Sequence, residues 1–204
     1  MRKINMCIAG LFVSMCMFAQ NGSDILDKIK QANTSLKSIT GDFKQIAHLP
    51  IMDEDALSNG KFYYRKPDRL CLKYDEPEGE IMLIRGDQIF MVIIDEYKKI
   101  SAKTDPSVGL IHSIFSSSLE GDTRKIKDAT ISAEEKGNYY EVTININAEK
   151  AKDIQRVKTR YDKKDMAFSL LRIEYEDGAY TTYELVRKTI NQPIADDVFR
   201  EPSK

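Results

Sequence analysis

Two short stretches between residues 61 and 74 carry a period of two. Phe62 and Tyr64 alternate with Lys61, Tyr63 and Arg65, and Leu70, Leu72 and Tyr74 alternate with Arg69, Cys71 and Lys73. A period of two puts one set on each face of a pleated strand, so this stretch predicts two half-buried strands rather than a helix. Lys66-Pro67-Asp68 separates them, and similar turn chemistry recurs at Asn59-Gly60, Glu76-Pro77-Glu78-Gly79, Arg85-Gly86-Asp87, Lys136-Gly137-Asn138 and Asp177-Gly178. Connections this short join antiparallel neighbours, whereas parallel pairs need long crossovers. The expected strands are roughly 37–48, 60–66, 69–75, 79–85, 88–94, 97–102, 126–134, 139–147, 153–161, 167–176 and 179–189.

Two segments break this rhythm. Ser23-Asp24 can cap a helix in which Ile25, Leu26, Ile29 and Ala32 form one apolar side. Asp105 followed by Pro106 predicts a second helix start, with Val108, Ile111, Phe115 and Leu119 as its stripe and Leu110 and Ile114 widening it. Gln88 to Ile94 is apolar on both faces, so both sides of the sheet should be covered there. A sheet of about eleven strands must curl, and only two short helices are left to close its open side. The expected fold is therefore α+β, mainly antiparallel β: an unclosed half-barrel with an α-helical lid.

Composition excludes several classes. Of the 204 residues, 42% are hydrophobic, and 31 basic against 32 acidic side chains leave a formal charge of −1, unlike a disordered tail or a basic nucleic-acid binder. At the start, Arg2 and Lys3 precede an uncharged apolar run from Met6 to Phe18, and Ala19-Gln20 follows. A basic, apolar, small-residue order too short to span a bilayer predicts a cleavable signal peptide at 1–19 and one mature domain at 20–204. Cys7 and Cys16 would be removed, leaving Cys71 without an intramolecular disulfide partner. A lipid anchor on Cys16 is disfavoured because Met15, not a small residue, precedes it. An exported protein that is not integral to the membrane, and a monomer, is expected.

No catalytic constellation emerges. His48 and His112 are the only histidines, no Gly-x-Ser-x-Gly elbow is present, and Cys71 sits within a strand, so no enzyme activity, metal or cofactor is expected. Asp53, Glu54 and Asp55, and Asp75, Glu76, Glu78 and Glu80, read as solvated turns, the first group lacking the ligand spacing of a calcium loop. Arg156, Lys158 and Arg160 share a face that reads as solvated. The inward set is Phe43, Phe62, Tyr64, Leu70, Leu72 and Tyr74, continuing with Tyr140, Val142, Ile144 and Ile146. A wide sheet can enclose an apolar cavity with such residues or pack them into a solid core, and periodicity does not separate the two.

The stretch Gly60-Lys-Phe-Tyr-Tyr-Arg-Lys-Pro-Asp-Arg-Leu-Cys-Leu-Lys-Tyr-Asp-Glu-Pro77, then Glu80-Ile-Met-Leu-Ile-Arg-Gly-Asp-Gln-Ile-Phe90, resembles the pattern of the periplasmic outer-membrane lipoprotein carrier (LolA) family. Asp42-Phe-Lys-Gln45, the hairpins from Tyr161 to Leu185, and the ending Ile194-Ala-Asp-Asp-Val-Phe-Arg-Glu-Pro202 fit the same family in order and spacing. The resemblance implies an eleven-stranded unclosed barrel with a helical lid, holding the acyl chains of lipoproteins and carrying them from an inner-membrane donor to an outer-membrane acceptor. It implies a cavity lined by Phe43, Phe62, Tyr64, Leu70, Leu72, Tyr74, Ile111 and Phe115. Where many members have an Arg that latches the lid, this chain has Lys66, a point charge instead of a fork, which would loosen or remove the latch. The alternative is a module of the same fold that senses acylated proteins, or binds another lipid, without moving its ligand.

Overall fold

A computed structural model describes residues 12–147 and 153–202. Among these, helix α1 (Phe12–Ala32) leads into strands β1 (Ser38–His48), β2 (Ala56–Arg65), β3 (Arg69–Glu76), β4 (Ile81–Arg85), β5 (Gln88–Ile93) and β6 (Glu96–Ser101). Helix α2 (Pro106–Glu120) then connects to β7 (Ala129–Lys136), β8 (Tyr139–Ile146), β9 (Ile154–Asp162), β10 (Phe168–Tyr175) and β11 (Tyr180–Ile190). All eleven strands form one antiparallel sheet in the order β6-β5-β4-β3-β2-β1-β11-β10-β9-β8-β7. Two meanders are thus stitched together where β1 pairs with β11, while β6 and β7 remain as edges. This is the expected unclosed sheet with helices on its concave side.

Alternation along the strands decides which side chains meet those helices. Phe62 lies opposite Leu72 and Tyr64 opposite Leu70, so the inward parity of neighbouring strands coincides. Ile25, Leu26 and Ile29 of α1, and Ile114, Phe115 and Leu119 of α2, join Phe43, Phe62, Tyr64, Leu70 and Leu72 in one buried cluster. Burying each large side chain of this kind contributes on the order of 1.5–3 kcal/mol.

The convex side carries a second, smaller cluster, Cys71, Leu83 and Phe90 beneath Ile194 and Phe199. It is the cover that the two-faced strand β5 requires. The final segment crosses the outside of β2 and β3, its ending held by polar contacts. Arg65 donates to the Ile194 carbonyl at 3.0 Å and pairs with Asp196, while its guanidinium sits 4.9 Å from the Phe199 ring centre. Further on, Tyr97 donates to Glu201 at 2.6 Å, and Arg85 and Lys99 flank the same carboxylate.

Two expectations need correction. Helix α1 runs without interruption through Ser23-Asp24, so these residues do not cap it; no proline interrupts the run, and the helix continues through Asn21-Gly22 despite their low propensity. Residues 1–11 of the expected export segment, Cys7 included, lie outside the described residues. Strand β2 begins at Ala56 rather than at residue 60, because 56–59 pair with β1. Asn59-Gly60 is therefore not a hairpin turn but lies within β2, opposite a bulge that leaves Asp75 of β3 unpaired in the ladder. Gly60 is required by close approach: a Cβ there would lie 2.0 Å from the Lys73 carbonyl oxygen.

Candidate functional site

Helix α2 is capped at both ends. The Asp105 carboxylate accepts from the backbone N–H groups of Ser107 and Val108 at 2.9 and 3.1 Å, with Pro106 in the first turn. Gly121 ends the helix at φ 74°, the left-handed conformation that glycine adopts freely. Between these caps the two halves differ in how firmly they are held.

The C-terminal half is locked. Ile114, Phe115, Ser118 and Leu119 are fully buried. The Tyr161 hydroxyl donates to the Ser118 carbonyl at 2.7 Å, and the Ser118 and Thr159 hydroxyls are 3.0 Å apart. Buried Asn33, just after α1, donates to the carbonyls of Ile29 and Met166 at 2.8 and 2.7 Å, and a Cβ at Gly121 would strike its amide at 2.9 Å. One asparagine thus ties the end of α1, the end of α2 and the β9–β10 turn together.

The N-terminal half is covered less deeply, although His112 ties it to the β4–β5 turn. Residues 107–113 are all only half-buried, and they border three hollows. The largest, about 840 Å³, lies between Leu110 and Ile111 on one side and Leu49, Ile154, Tyr175, Ala179 and Thr181 on the other, with Asp153, Glu176 and Asp177 at its rim. A second, about 210 Å³, is walled by Met82, Ile89, Met91, Ile100, Val108 and Ile111. The third, about 260 Å³, lies beside Leu110, Ile126 and Ile146. The first falls in the size range of ligand cavities, commonly about 300–1,000 Å³.

Of the eight residues expected to line a cavity, Ile111 borders two of these hollows. Phe43, Phe62, Tyr64, Leu70, Leu72 and Phe115 are instead packed solid beneath the helices, and Tyr74 is partly buried at the edge of that cluster, donating to Gln45 at 2.6 Å. The helices fill the centre of the half-barrel, and a hollow of about 840 Å³ lies beside the first half of α2, while Tyr74 and Phe43 border smaller clefts of about 410 and 240 Å³ away from it. The hollow walls from β4, β5, β9 and the β10–β11 turn were not singled out in the sequence. Only the two-faced apolar character of β4 and β5, with Met82 opposite Met91, signals them.

Lys66 points inward, as its parity predicts, and its ammonium donates to the Asn33 backbone carbonyl at 2.5 Å. Burial holds this lysine below its ordinary pKa. Arg65 faces outward to the C-terminal segment. The lysine therefore makes a single bond to the end of α1, where a forked side chain could make two.

The histidines and the basic residues of β9 are paired. His48 Nδ1 is 2.7 Å from Asp55 and its ring stacks on Tyr180, while His112 Nε2 donates to the Gly86 carbonyl at 2.8 Å. Arg156 and Lys158 meet Glu174, and Arg160 meets Glu141. Cys71 is buried, which raises its thiol pKa to about 11. Among the described residues no group of three or more His, Cys, Asp or Glu could hold a metal ion, and no helix is long and apolar enough to cross a membrane.

Comparison with known proteins adds to this geometry. The family described as outer membrane lipoprotein carrier protein LolA matches residues 34–201. No curated protein matches the chain. Among solved structures, a DUF1329 family protein from Desulfovibrio piger is 14% identical, covers 90% of this chain and 97% of its own, and superposes with a TM-score of 0.51. An uncharacterized conserved protein from Thermus thermophilus is 10% identical over 88% of this chain and 93% of its own, with a TM-score of 0.52. In the MucA/MucB complex of Pseudomonas aeruginosa the similarity is 10% identity, 88% of this chain, 60% of the matched chain and a TM-score of 0.50. At these identities the likeness is one of fold.

Proposed function

The chain belongs to the LolA family of outer membrane lipoprotein carrier proteins, and from that premise we propose that it binds the acyl chains of lipoproteins around α2 and carries them between membranes. The observation that carries this reading is the half-held helix: apolar hollows surround residues 107–113, while the other half of α2 is fixed. In this reading residues 1–19 direct export to the periplasm, 20–204 act as one domain, and no chemistry is performed on the ligand. An inner-membrane donor would load it and an outer-membrane acceptor would unload it.

An exposed hydrocarbon chain costs about 0.8 kcal/mol per methylene in water, so several chains need shelter in transit. A wall of Leu, Ile and Met offers that shelter without directional bonds that would resist release. The loose half of α2 would lift as chains enter, exchanging its own apolar contacts for contacts with cargo. Ile111 and Leu110 would then touch cargo first, and Phe43, Phe62, Tyr64, Leu70, Leu72, Tyr74 and Phe115 would become cavity wall only on wider opening. Lys66 would hold the end of α1 as a latch.

The test is binding of a fluorescent acyl probe, together with recovery of lipoproteins bound to the protein from the periplasm. Ile111→Glu should fold and lose both, because its side chain borders the hollows without filling the core. Retention of probe and lipoprotein by this variant would remove the hollows from the mechanism. Charges at Leu72 or Phe115 are poorer probes, since burying an unpaired carboxylate there would unfold the protein.

A further inference from the structure

Two hairpin tips expose large apolar side chains to water. In the β1–β2 connection the Met52 N–H bonds the Leu49 carbonyl at 2.9 Å, which leaves Ile51 at the corner of a turn, 93% exposed. In the two-residue β5–β6 turn Ile94 is 82% exposed. Its φ of 48° and that of Asp95, 61°, place both in the left-handed region, where Asn or Gly is comfortable and a β-branched residue is strained. Ile94 therefore carries a backbone penalty and a solvation penalty while most of its side chain touches nothing. Strain combined with exposure suggests a use outside the folded chain.

The placement of the tips identifies the partner. Strand directions alternate across the sheet, so the connections 49–55, 94–95 and 176–179 and the start of β9 all lie at one end of it. The largest hollow opens at this end, beside Leu49, Asp153, Glu176 and Asp177. Four strand spacings put the two tips roughly 19 Å apart along the sheet. Separate convex points suit insertion among lipid headgroups better than a shared pocket on a protein. Each tip is followed at once by carboxylates, Asp53 and Glu54 after Met52, and Asp95 and Glu96 after Ile94. Such a collar limits depth and repels an anionic surface.

We propose that this end of the molecule docks on a phospholipid bilayer of low net charge, with Ile51, Met52, Ile93 and Ile94 in the interfacial layer and the hollow facing the lipid. The proposal rests on the acyl-binding reading for its purpose but not for its test. The purified mature protein is floated with phosphatidylcholine vesicles and with vesicles enriched in phosphatidylglycerol, beside Ile51→Glu, Ile94→Asn and the double variant. Ile94→Asn suits the left-handed turn, so a loss of docking in it cannot come from misfolding. Native protein should float with phosphatidylcholine and less with phosphatidylglycerol, and the double variant should lose at least about tenfold of the bound fraction. Absence of flotation, flotation unchanged in the double variant, or preference for phosphatidylglycerol would overturn it. Acyl-probe binding without vesicles should be unaltered in these variants, and its loss would assign the tips to the hollow instead. If native protein floats but binds no probe, the acyl-binding reading fails and the docking stands.

Discussion

Lys66 shows how one side chain can link strand and helix. Its ammonium reaches the carbonyl of Asn33, a residue whose own amide is already committed to Ile29 and Met166. The same carbonyl also accepts from the Leu36 N–H at 3.3 Å, so removing the lysine costs the charged-donor bond itself, about 1–3 kcal/mol. Lys66→Met should therefore lower the urea midpoint by an amount in that range, and Lys66→Arg should restore it. Equal midpoints for all three would show that the bond contributes nothing to holding α1. The inward parity of Lys66 could be read from Phe62 and Tyr64, but its partner could not. Asn33 is a backbone acceptor on a helix end, and no sequence pattern marks a carbonyl as the target of a side chain thirty-three positions away.

Within α2 the division into a held half and a loose half follows from what each turn meets. Phe115 is buried in the main cluster and packs edge-on to Tyr183 at 5.4 Å, so Phe115→Ala should destabilise by about 3–5 kcal/mol. Asp105→Ala removes only the cap of the loose end, about 1 kcal/mol. Acyl-probe affinity should respond in the opposite order of interest: Asp105→Ala frays the lid and changes probe exchange while the melting temperature barely moves. Thermal melts beside stopped-flow probe uptake would check both, and a cap variant with unchanged uptake would separate the cap from opening. The number of strands and the N-cap of α2 were legible because alternation and turn residues are local signals. The location of the empty volume was not, because it depends on how deeply two helices settle into a curved sheet. Ser23-Asp24 and Asn59-Gly60 misled for a related reason: a cap and a turn are short motifs, and a continuing helix or an intimate strand pair can absorb either one.

At the scale of the molecule, the sheet has an inner face occupied by helices and an outer face covered near β3 to β5 by the C-terminal segment. That cover is pinned by Asp196, whose pKa is depressed mainly by its bond from Arg65, and by Glu201, depressed mainly by its bond from Tyr97. Because both titrate below their ordinary values of 3.8 and 4.5, the stability they supply is complete above those values and is lost as pH falls through the lower folded-state ones. Below about pH 4 the segment should loosen and uncover Cys71, read as faster reaction with a dipyridyl disulfide that remains active in acid. Asp196→Asn with Glu201→Gln should show the same acceleration at neutral pH. Protection of Cys71 that is indifferent to both would mean that apolar packing alone retains the segment. The two unpaired edges, β6 and β7, have a mechanical meaning of their own. A closed barrel can widen only by breaking rungs of its backbone ladder, whereas here the β6 and β7 edges can move apart or together without severing a single rung.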